Sequence, residues 1–181
     1  MSDVVALIGN PRAGSRTRTL AEATAASILP AVTAAGGPAL SGVRVLELAE
    51  ISAVSFGPEP VRPITVLDDP HAVTRRARLL FLATPTYKGT YTGLLKVFLD
   101  QYGHRELAGV VAVPVAIAAA EPHRAAVAAA LEALLDELRA TVPVPALAVL
   151  ESALADPKRL AAQWAAKHAP AIADALGSAT R

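Results

Sequence analysis

The 181-residue sequence contains no cysteine, few aromatic residues and almost no net charge. The absence of cysteine excludes disulfide bonds, thiolate nucleophiles and metal sites built on thiolates. With 17 basic and 16 acidic residues, the formal charge is only +1, so no overall field attracts nucleic acid or a membrane surface. We therefore expect no nucleic-acid partner, and any anion site must be a local cluster of side chains.

Long hydrophobic runs are also missing. The longest apolar stretch, residues 109–120, is interrupted by Pro114 and falls short of the roughly 20 residues that a membrane-spanning helix needs. The first nine residues carry an acidic side chain where an export signal carries basic ones. We therefore expect a soluble, cytoplasmic protein without membrane contact.

Short segments rich in Val, Ile and Leu alternate with segments of helical character. The predicted strands are 3–9, 43–48, 78–84, 109–117 and 144–150, and the predicted helices are 17–35, 65–76, 91–102, 122–139 and 157–176. Four strands are almost wholly apolar, as in strands covered on both faces, whereas 43–48 alternates and is typical of an edge strand. The pattern predicts an α/β fold, a three-layer sandwich around a mostly parallel sheet, in a single domain spanning residues 1–181.

Proline and aspartate mark helix starts and one long loop. Pro122 and Pro157 each stand where a first helical turn tolerates proline, and Asp156 is a predicted N-cap. Residues 51–63 contain three prolines and a glycine, which predicts a surface loop long enough to reach over a neighbouring site.

The loop after the first predicted strand has the sequence GNPRAGSRT, residues 9–17. It lies at the carboxyl edge of the sheet, where open α/β folds bind ligands, and it leads into a helix N-terminus, whose free N–H groups hold phosphate. Its spacing matches neither the dinucleotide fingerprint nor the P-loop, because Gly14 is followed by Ser15 and Arg16 without a lysine. From the loop alone, a phosphate anchor for flavin mononucleotide (FMN) and a turn with solvated arginines remain alternatives.

The loop after the third strand, residues 84–93, is polar and rich in Gly and Tyr. Tyr87 offers a flat ring that stacks on or borders a planar heterocycle. The alternative is that Tyr87 and Tyr91 cover the end of the core while Lys88 is a solvated surface charge.

A third candidate wall follows the fourth strand. The small residues 118–120 permit a ring system to lie against the backbone, with Glu121 and His123 at the rim. A histidine or glutamate at a helix start is more often a solvated charge, so we assign no catalytic acid or base. None of the four histidines shows metal-ligand spacing, and we expect no metal.

Two of these motifs together resemble the NAD(P)H-dependent FMN reductase family. They are GNPRAGSRTRTL after the first strand and ATPTYKGTYTGLLKVFLDQY after the third. They are especially similar to the reductases of two-component alkanesulfonate monooxygenase systems, with G-S-P-R-x-x-S-R-S-x-x-L and A-T-P-x-Y-x-x-x-Y-S-G-x-L-K-x-x-L-D at these places. The resemblance extends to about residue 150. It implies a flavodoxin-like fold, with strand order 2-1-3-4-5 and FMN at the switch point.

The resemblance also implies a set of cofactor-binding residues. The phosphate loop contributes Asn10, Arg12, Ser15, Arg16 and Thr17, the second loop contributes Pro85, Thr86, Tyr87, Lys88 and Gly89, and the third contributes Ala119, Ala120 and Glu121. Relatives have Gly-Gly-Thr or Gly-Gly-Ser at the third loop. Ala119 and Ala120 therefore add two methyl groups, and Glu121 adds a carboxylate. We expect these changes to alter flavin affinity or potential.

The implied activity is that of an NAD(P)H:FMN oxidoreductase. The nicotinamide of NADPH or NADH gives hydride to flavin N5, no side chain acts as acid, base or nucleophile, and reduced FMN passes to a partner monooxygenase. The alternatives are an FMN-retaining quinone or azo reductase, and a flavodoxin-like electron carrier or binding module without reductase activity. Relatives assemble as homodimers or homotetramers through the fourth helix. The reductases of alkanesulfonate monooxygenase systems often carry an aromatic residue in this helix, where this chain has Ala129. We therefore do not assume that this chain has the substrate of that branch.

Overall fold

A computed structural model describes residues 3–51 and 69–179. Within them the strands are β1 (Val4–Ile8), β2 (Val43–Glu47), β3 (Leu79–Pro85), β4 (Val111–Ala118) and β5 (Leu147–Leu150). The helices are α1 (Arg16–Ala34), α2 (Leu48–Ile51), α3 (Pro70–Arg75), α4 (Gly93–Leu99), α5 (Glu121–Glu137) and α6 (Pro157–Ser178), with a 3-10 turn at Glu151–Ala153.

The five strands form one parallel sheet in the order β2-β1-β3-β4-β5. This order confirms the flavodoxin-like fold that the family resemblance implied. In the centre of the sheet, Val4 of β1 pairs with Val43 of β2 and with Leu79 of β3. β2 lies at an edge, as its alternating sequence predicted, and its first residue is exposed.

The central strands contribute side chains to two hydrophobic cores, because successive side chains of a strand point to opposite faces of the sheet. On one face, Val4, Ala6 and Ile8 pack with α1 and α6, which also pack against each other. On the other face, Val5 and Leu7 pack with α4 and α5. All five β1 residues are therefore buried, and the loops that leave the carboxyl ends of the strands meet at one edge of the sandwich.

Helix starts largely follow their predicted signals. Asp156 caps α6 by accepting the Arg159 N–H at 2.9 Å, and Pro157 is the first helical residue. Pro122 lies in the first turn of α5. α4 begins later than predicted, because the Thr92 side chain caps it by accepting the Leu95 N–H.

Three segments differ from the sequence prediction. α2 was not predicted, because four residues are too few for a periodic signal. β5 begins at Leu147 rather than at residue 144, since Pro143 and Pro145 lack the N–H that a ladder needs. In the described part of the predicted helix 65–76, Asp69 is the N-cap of α3 rather than a helical residue, and Arg76 is its C-cap. Residues 65–68 and the predicted loop beyond Ile51 lie outside the described residues.

Among the helices of residues 3–51 and 69–179, none is long and apolar enough to cross a membrane.

Tyr102 follows α4 and closes the core beneath α3. Its hydroxyl is hydrogen-bonded to Thr74, and its ring lies edge-on to His71 and Phe98, which stack at 4.0 Å between ring centroids. Burial raises the pKa of Tyr102 from 10 to about 12. Because the folded-state pKa lies above the unfolded one, Tyr102 stabilises the fold below pH 10, and this contribution is lost between pH 10 and 12.

We therefore expect an ultraviolet absorbance titration to show one of the three tyrosines ionising late, near pH 12. Tyr102→Phe should remove this late step. The conservative change keeps the ring contacts and leaves Thr74 bonded to the backbone carbonyls of Pro70 and His71. A late step that survives in Tyr102→Phe would assign it to another residue and contradict the buried phenol.

Candidate functional site

The β1–α1 loop is shaped by its own side chains. Asn10 is buried; its Oδ1 accepts the Arg12 N–H at 2.9 Å and its Nδ2 donates to Thr17 Oγ1 at 3.1 Å. Ser15 is the N-cap of α1, and its Oγ accepts the Arg18 N–H at 3.4 Å. Asn10 and Thr17 thus hold the loop in place and keep the first turn of α1 at the carboxyl edge of the sheet.

A buried carboxylate from the neighbouring strand supports the same loop. Glu47 ends β2, and its side chain is 2% exposed. Its Oε1 accepts the Gly14 N–H at 2.9 Å, and its Oε2 lies 2.6 Å from Arg18 Nη1. Gly14 has φ +62°, a conformation that a β-carbon would strain. Sequence reasoning missed Glu47, although an acidic residue at the carboxyl end of a predicted edge strand was the available signal.

The charge of Arg18 is neutralised by two carboxylates beside the loop. Arg18 forms an ion pair with Glu22 at 3.0 Å as well as with Glu47. Hydrogen bonds to Glu22 and Glu47 raise the pKa of Arg18 above its ordinary value. The cations that this loop presents to a ligand are therefore Arg12 and Arg16, both exposed.

The first turn of α1 favours an anion. This helix has 19 residues and no acidic residue in its first turn, so its unpaired N–H groups and partial positive charge are unopposed within that turn. Arg16 is its first residue, and its Nη2 lies 3.1 Å from Oε1 of Glu151, which begins the 3-10 turn after β5.

The loop after β3 makes a tight turn that displays an aromatic ring. The Tyr87 N–H donates to the Thr90 carbonyl at 2.9 Å, while Lys88 (φ 54°) and Gly89 (φ 88°) adopt left-handed conformations, as in a type I′ turn. Tyr87 is 43% exposed, so it does not cover the core. Tyr91, in contrast, packs against the core.

Thr86 ties this loop to β4. Its N–H and its hydroxyl donate to the Ile117 carbonyl at 2.8 and 2.9 Å. The side chain of Thr86 therefore fixes the separation of the two loops, and Ile117 is held beside Pro85, its partner in the β3–β4 ladder.

The third predicted wall, at the start of α5, is exposed. Ala119, Ala120 and Glu121 all face solvent. Glu121 is paired with Arg124, and the hydrogen bond from Arg124 lowers the pKa of the Glu121 carboxyl. His123 lies beside the second loop, since a β-carbon built on Gly89 would be 3.8 Å from its ring.

A cavity of about 310 Å³ opens between these loops. Of the predicted site residues, it brings together Asn10, Arg12, Ser15, Arg16, Thr17, Pro85 and Tyr87. Thr86, Lys88, Gly89, Ala119, Ala120 and Glu121 are not among its lining residues, so their contact with a ligand stays a prediction. Ala13, Ile117 and Glu151 also line it and were missed.

A larger cavity, of about 480 Å³, lies elsewhere, between the end of α5 and residues 140–145. It presents the carboxylates of Glu132 and Asp136, which repel a phosphate. In the described part of the chain, no cluster of three or more residues could hold a metal ion.

The donors of the smaller cavity suit the phosphate of FMN. Free N–H groups, the Ser15 hydroxyl and two guanidinium groups are the partners that a phosphate dianion prefers. Pro85 and Tyr87 stand beside them as surfaces for a planar ring. The fold defines a flavodoxin-like α/β protein, and its first loop is a candidate phosphate site.

Comparison with known proteins agrees. Residues 2–154 match the sequence model of the NADPH-dependent FMN reductase family, and the chain belongs to this family. It is 32% identical over 142 residues to the FMN reductase (NADPH) of Escherichia coli K12, which covers 76% of this chain and 67% of the relative. It is 35% identical over 78 residues to the FMN reductase (NADPH) of Pseudomonas putida, covering 40% of each.

Solved structures share the fold. An oxidoreductase from Corynebacterium diphtheriae has a TM-score of 0.73 and 24% identity over 99% of both chains. The apo form of an NADH:FMN oxidoreductase has a TM-score of 0.69 and 26% identity, covering 99% of this chain and 91% of that one. The protein is thus an oxidoreductase that uses NADPH and FMN, and an electron carrier or binding module without reductase activity is set aside.

Glu47→Ala tests the support of the phosphate loop. It removes the buried carboxylate that accepts the Gly14 N–H and pairs with Arg18, so we expect the free energy of unfolding to fall by about 1–3 kcal/mol, measured by urea denaturation. Glu47→Gln keeps an acceptor and should lose less. Glu22→Ala is the matched control, because it removes the exposed partner of the same arginine and should cost little. Equal losses in Glu47→Ala and Glu22→Ala would contradict this role.

Proposed function

We propose that FMN binds in a single flavodoxin-like domain, residues 1–181, with its phosphate at the first turn of α1. The observation that carries the proposal is the cavity that joins Arg12, Ser15 and Arg16 to Pro85 and Tyr87. Two guanidinium groups, a capping hydroxyl and free helix N–H groups converge at one end, and apolar and aromatic surfaces stand at the other. This polarity matches a molecule with a dianionic tail and a planar head.

The isoalloxazine ring and the ribityl chain are assigned to the second and third loops. The residues of this assignment are Pro85, Thr86, Tyr87, Lys88, Gly89, Ala119, Ala120 and Glu121. Two facts support it: Thr86 bridges β3 to β4, and Gly89 lies close to His123 of α5, so the loops form one continuous rim.

When bound, FMN is the electron acceptor for the nicotinamide of NADPH. The residues of this chain provide the rest. Arg12 and Arg16 anchor the tail, the exposed Tyr87 ring borders the head, and the small side chains of Ala119 and Ala120 leave one side of the ring open for the nicotinamide. A Glu121 carboxylate beside the ring would oppose negative charge there and lower the flavin potential, and its ion pair with Arg124 would reduce this effect.

We further propose that FMN is an exchangeable substrate, and that its reduced form passes to a partner monooxygenase. Exposed guanidinium groups bind an anion less tightly than buried ones, because water and salt screen them. Arg12 and Arg16 are both exposed, which favours release. The cytoplasmic location stays a prediction.

Assembly as a homodimer or homotetramer belongs to the same proposal. The outer face of α5 exposes Ala125, Ala126 and Ala129. Such small side chains let a second helix approach closely.

Arg12→Ala tests the phosphate assignment. Loss of a charge-assisted contact should weaken FMN binding by about 1.5–3 kcal/mol, or roughly 10- to 150-fold, in a titration that follows flavin fluorescence. Riboflavin lacks the phosphate, so its affinity should not change. Arg75→Ala, which removes an exposed arginine from α3, is the control. An unchanged FMN dissociation constant, or equal losses for FMN and riboflavin, would contradict the assignment.

Flavin exchange distinguishes supply from retention. We expect gel filtration to strip FMN from the protein, NADPH oxidation to require added FMN, and a flavin-dependent monooxygenase to form product only when reductase, FMN and NADPH are all present. The FMN-retaining alternative makes the opposite prediction. The protein would stay yellow through purification and reduce a quinone or an azo dye without added FMN.

A further inference from the structure

Glu151 places a carboxylate at the mouth of the phosphate end of the cavity. It follows β5 directly, lines the same cavity as Arg12 and Arg16, and reaches Arg16 Nη2 at 3.1 Å. The side chains of Arg16 and Glu151 are 63% and 46% exposed. The pair therefore lies at the rim, where water and ligand reach both partners.

Among the described residues that line this cavity, the charges are two guanidinium groups and one carboxylate, a net charge of +1. Glu47, the other carboxylate bonded to the loop, is buried and paired with Arg18. Glu151 is thus the acidic side chain among the described lining residues. A carboxylate and a phosphate are both anions that bind a guanidinium fork, so both draw on the donors of Arg16.

We propose that Glu151 is a specificity-determining residue that competes with the flavin phosphate for Arg16. The competition lowers affinity for phosphorylated flavin and leaves the unphosphorylated flavin unaffected, so FMN is held loosely enough to exchange. This inference rests on the proposed function, because it requires the flavin phosphate to bind at Arg16.

The size of the effect follows from the exposure of the pair. Exposed ion pairs contribute at most about 1 kcal/mol. Removal of the competitor should therefore tighten FMN binding about three- to fivefold, equivalent to about 0.7–1 kcal/mol. Because surface charges are screened by salt, the gain should shrink as ionic strength rises.

The test compares Glu151→Gln, Arg16→Gln and the double variant in flavin fluorescence titrations with FMN and with riboflavin. Glutamine keeps the shape of glutamate and removes its charge. Glu106→Gln is the matched control, because Glu106 is also an exposed carboxylate, paired with Arg75 at 3.2 Å, and does not line the cavity. It changes the net charge of the protein by the same amount.

We expect Glu151→Gln to tighten FMN binding three- to fivefold, with riboflavin affinity unchanged and Glu106→Gln like the wild type. In the Arg16→Gln background, the same change should no longer tighten FMN binding. Weaker FMN binding in Glu151→Gln would mean that Glu151 orients Arg16 for the phosphate, and a gain that persists in full without Arg16 would mean direct repulsion. Either result overturns the competition.

Failure of the underlying site has a different signature. If Arg12→Ala and Arg16→Gln both leave the FMN dissociation constant unchanged, the phosphate does not bind at this loop, and both proposals fall. If these two variants weaken FMN binding while Glu151→Gln matches the wild type, the phosphate site stands and only the competition is overturned.

Discussion

The hydrogen bond from the Gly14 N–H to the buried carboxylate of Glu47 holds the first loop in the shape on which the site depends. A loop that presents free N–H groups to a ligand leaves them without backbone partners, so side chains have to hold its shape. Glu47 does this from β2, and Asn10 does it from the loop's own start. With both in place, the first turn of α1 is organised without a ligand, so the phosphate binding that we propose would cost less conformational entropy.

Packing between β1 and α4 fixes the distance between the β1–α1 loop and the loop after β3. The Thr92 hydroxyl donates to the Gly9 carbonyl, and a β-carbon at Gly9 would come within 2.7 Å of Leu95 Cβ. Only a glycine therefore allows α4 to lie this close to the end of β1. Since α4 follows the loop that carries Tyr87, the distance between the two candidate halves of the site is set by the core rather than by flexible side chains.

The electrostatics of the site are modest and local. Arg18 is neutralised by two carboxylates, and Arg16 shares its charge with Glu151. A reductase that leaves the redox chemistry to its flavin needs an anchor and an open ring face, and it needs no activated acid or base. Exposed arginines at a helix start, partly countered by a nearby carboxylate, agree with the exchangeable flavin that we propose.

Elements with a local cause were predictable. Apolar runs marked β1, β3 and β4, and residues such as Asp156 and Pro157 marked the start of α6, because burial on both faces and capping act over a few neighbouring residues. The polar loops with Arg12, Ser15 and Tyr87 were visible for the same reason. The strand order came from the family resemblance, since periodicity does not name a strand's neighbour.

The sequence by itself therefore determined the alternation of strands and helices and the chemical character of each loop, because both depend on short-range spacing. Only the tertiary structure decided that Glu47, Ile117 and Glu151 belong to the site. They reach it from β2, β4 and the turn after β5, and Glu47 meets Gly14 across 33 residues of chain. Whether such residues meet depends on which strand ends are neighbours. The parallel pairing of the whole sheet determines which ends these are.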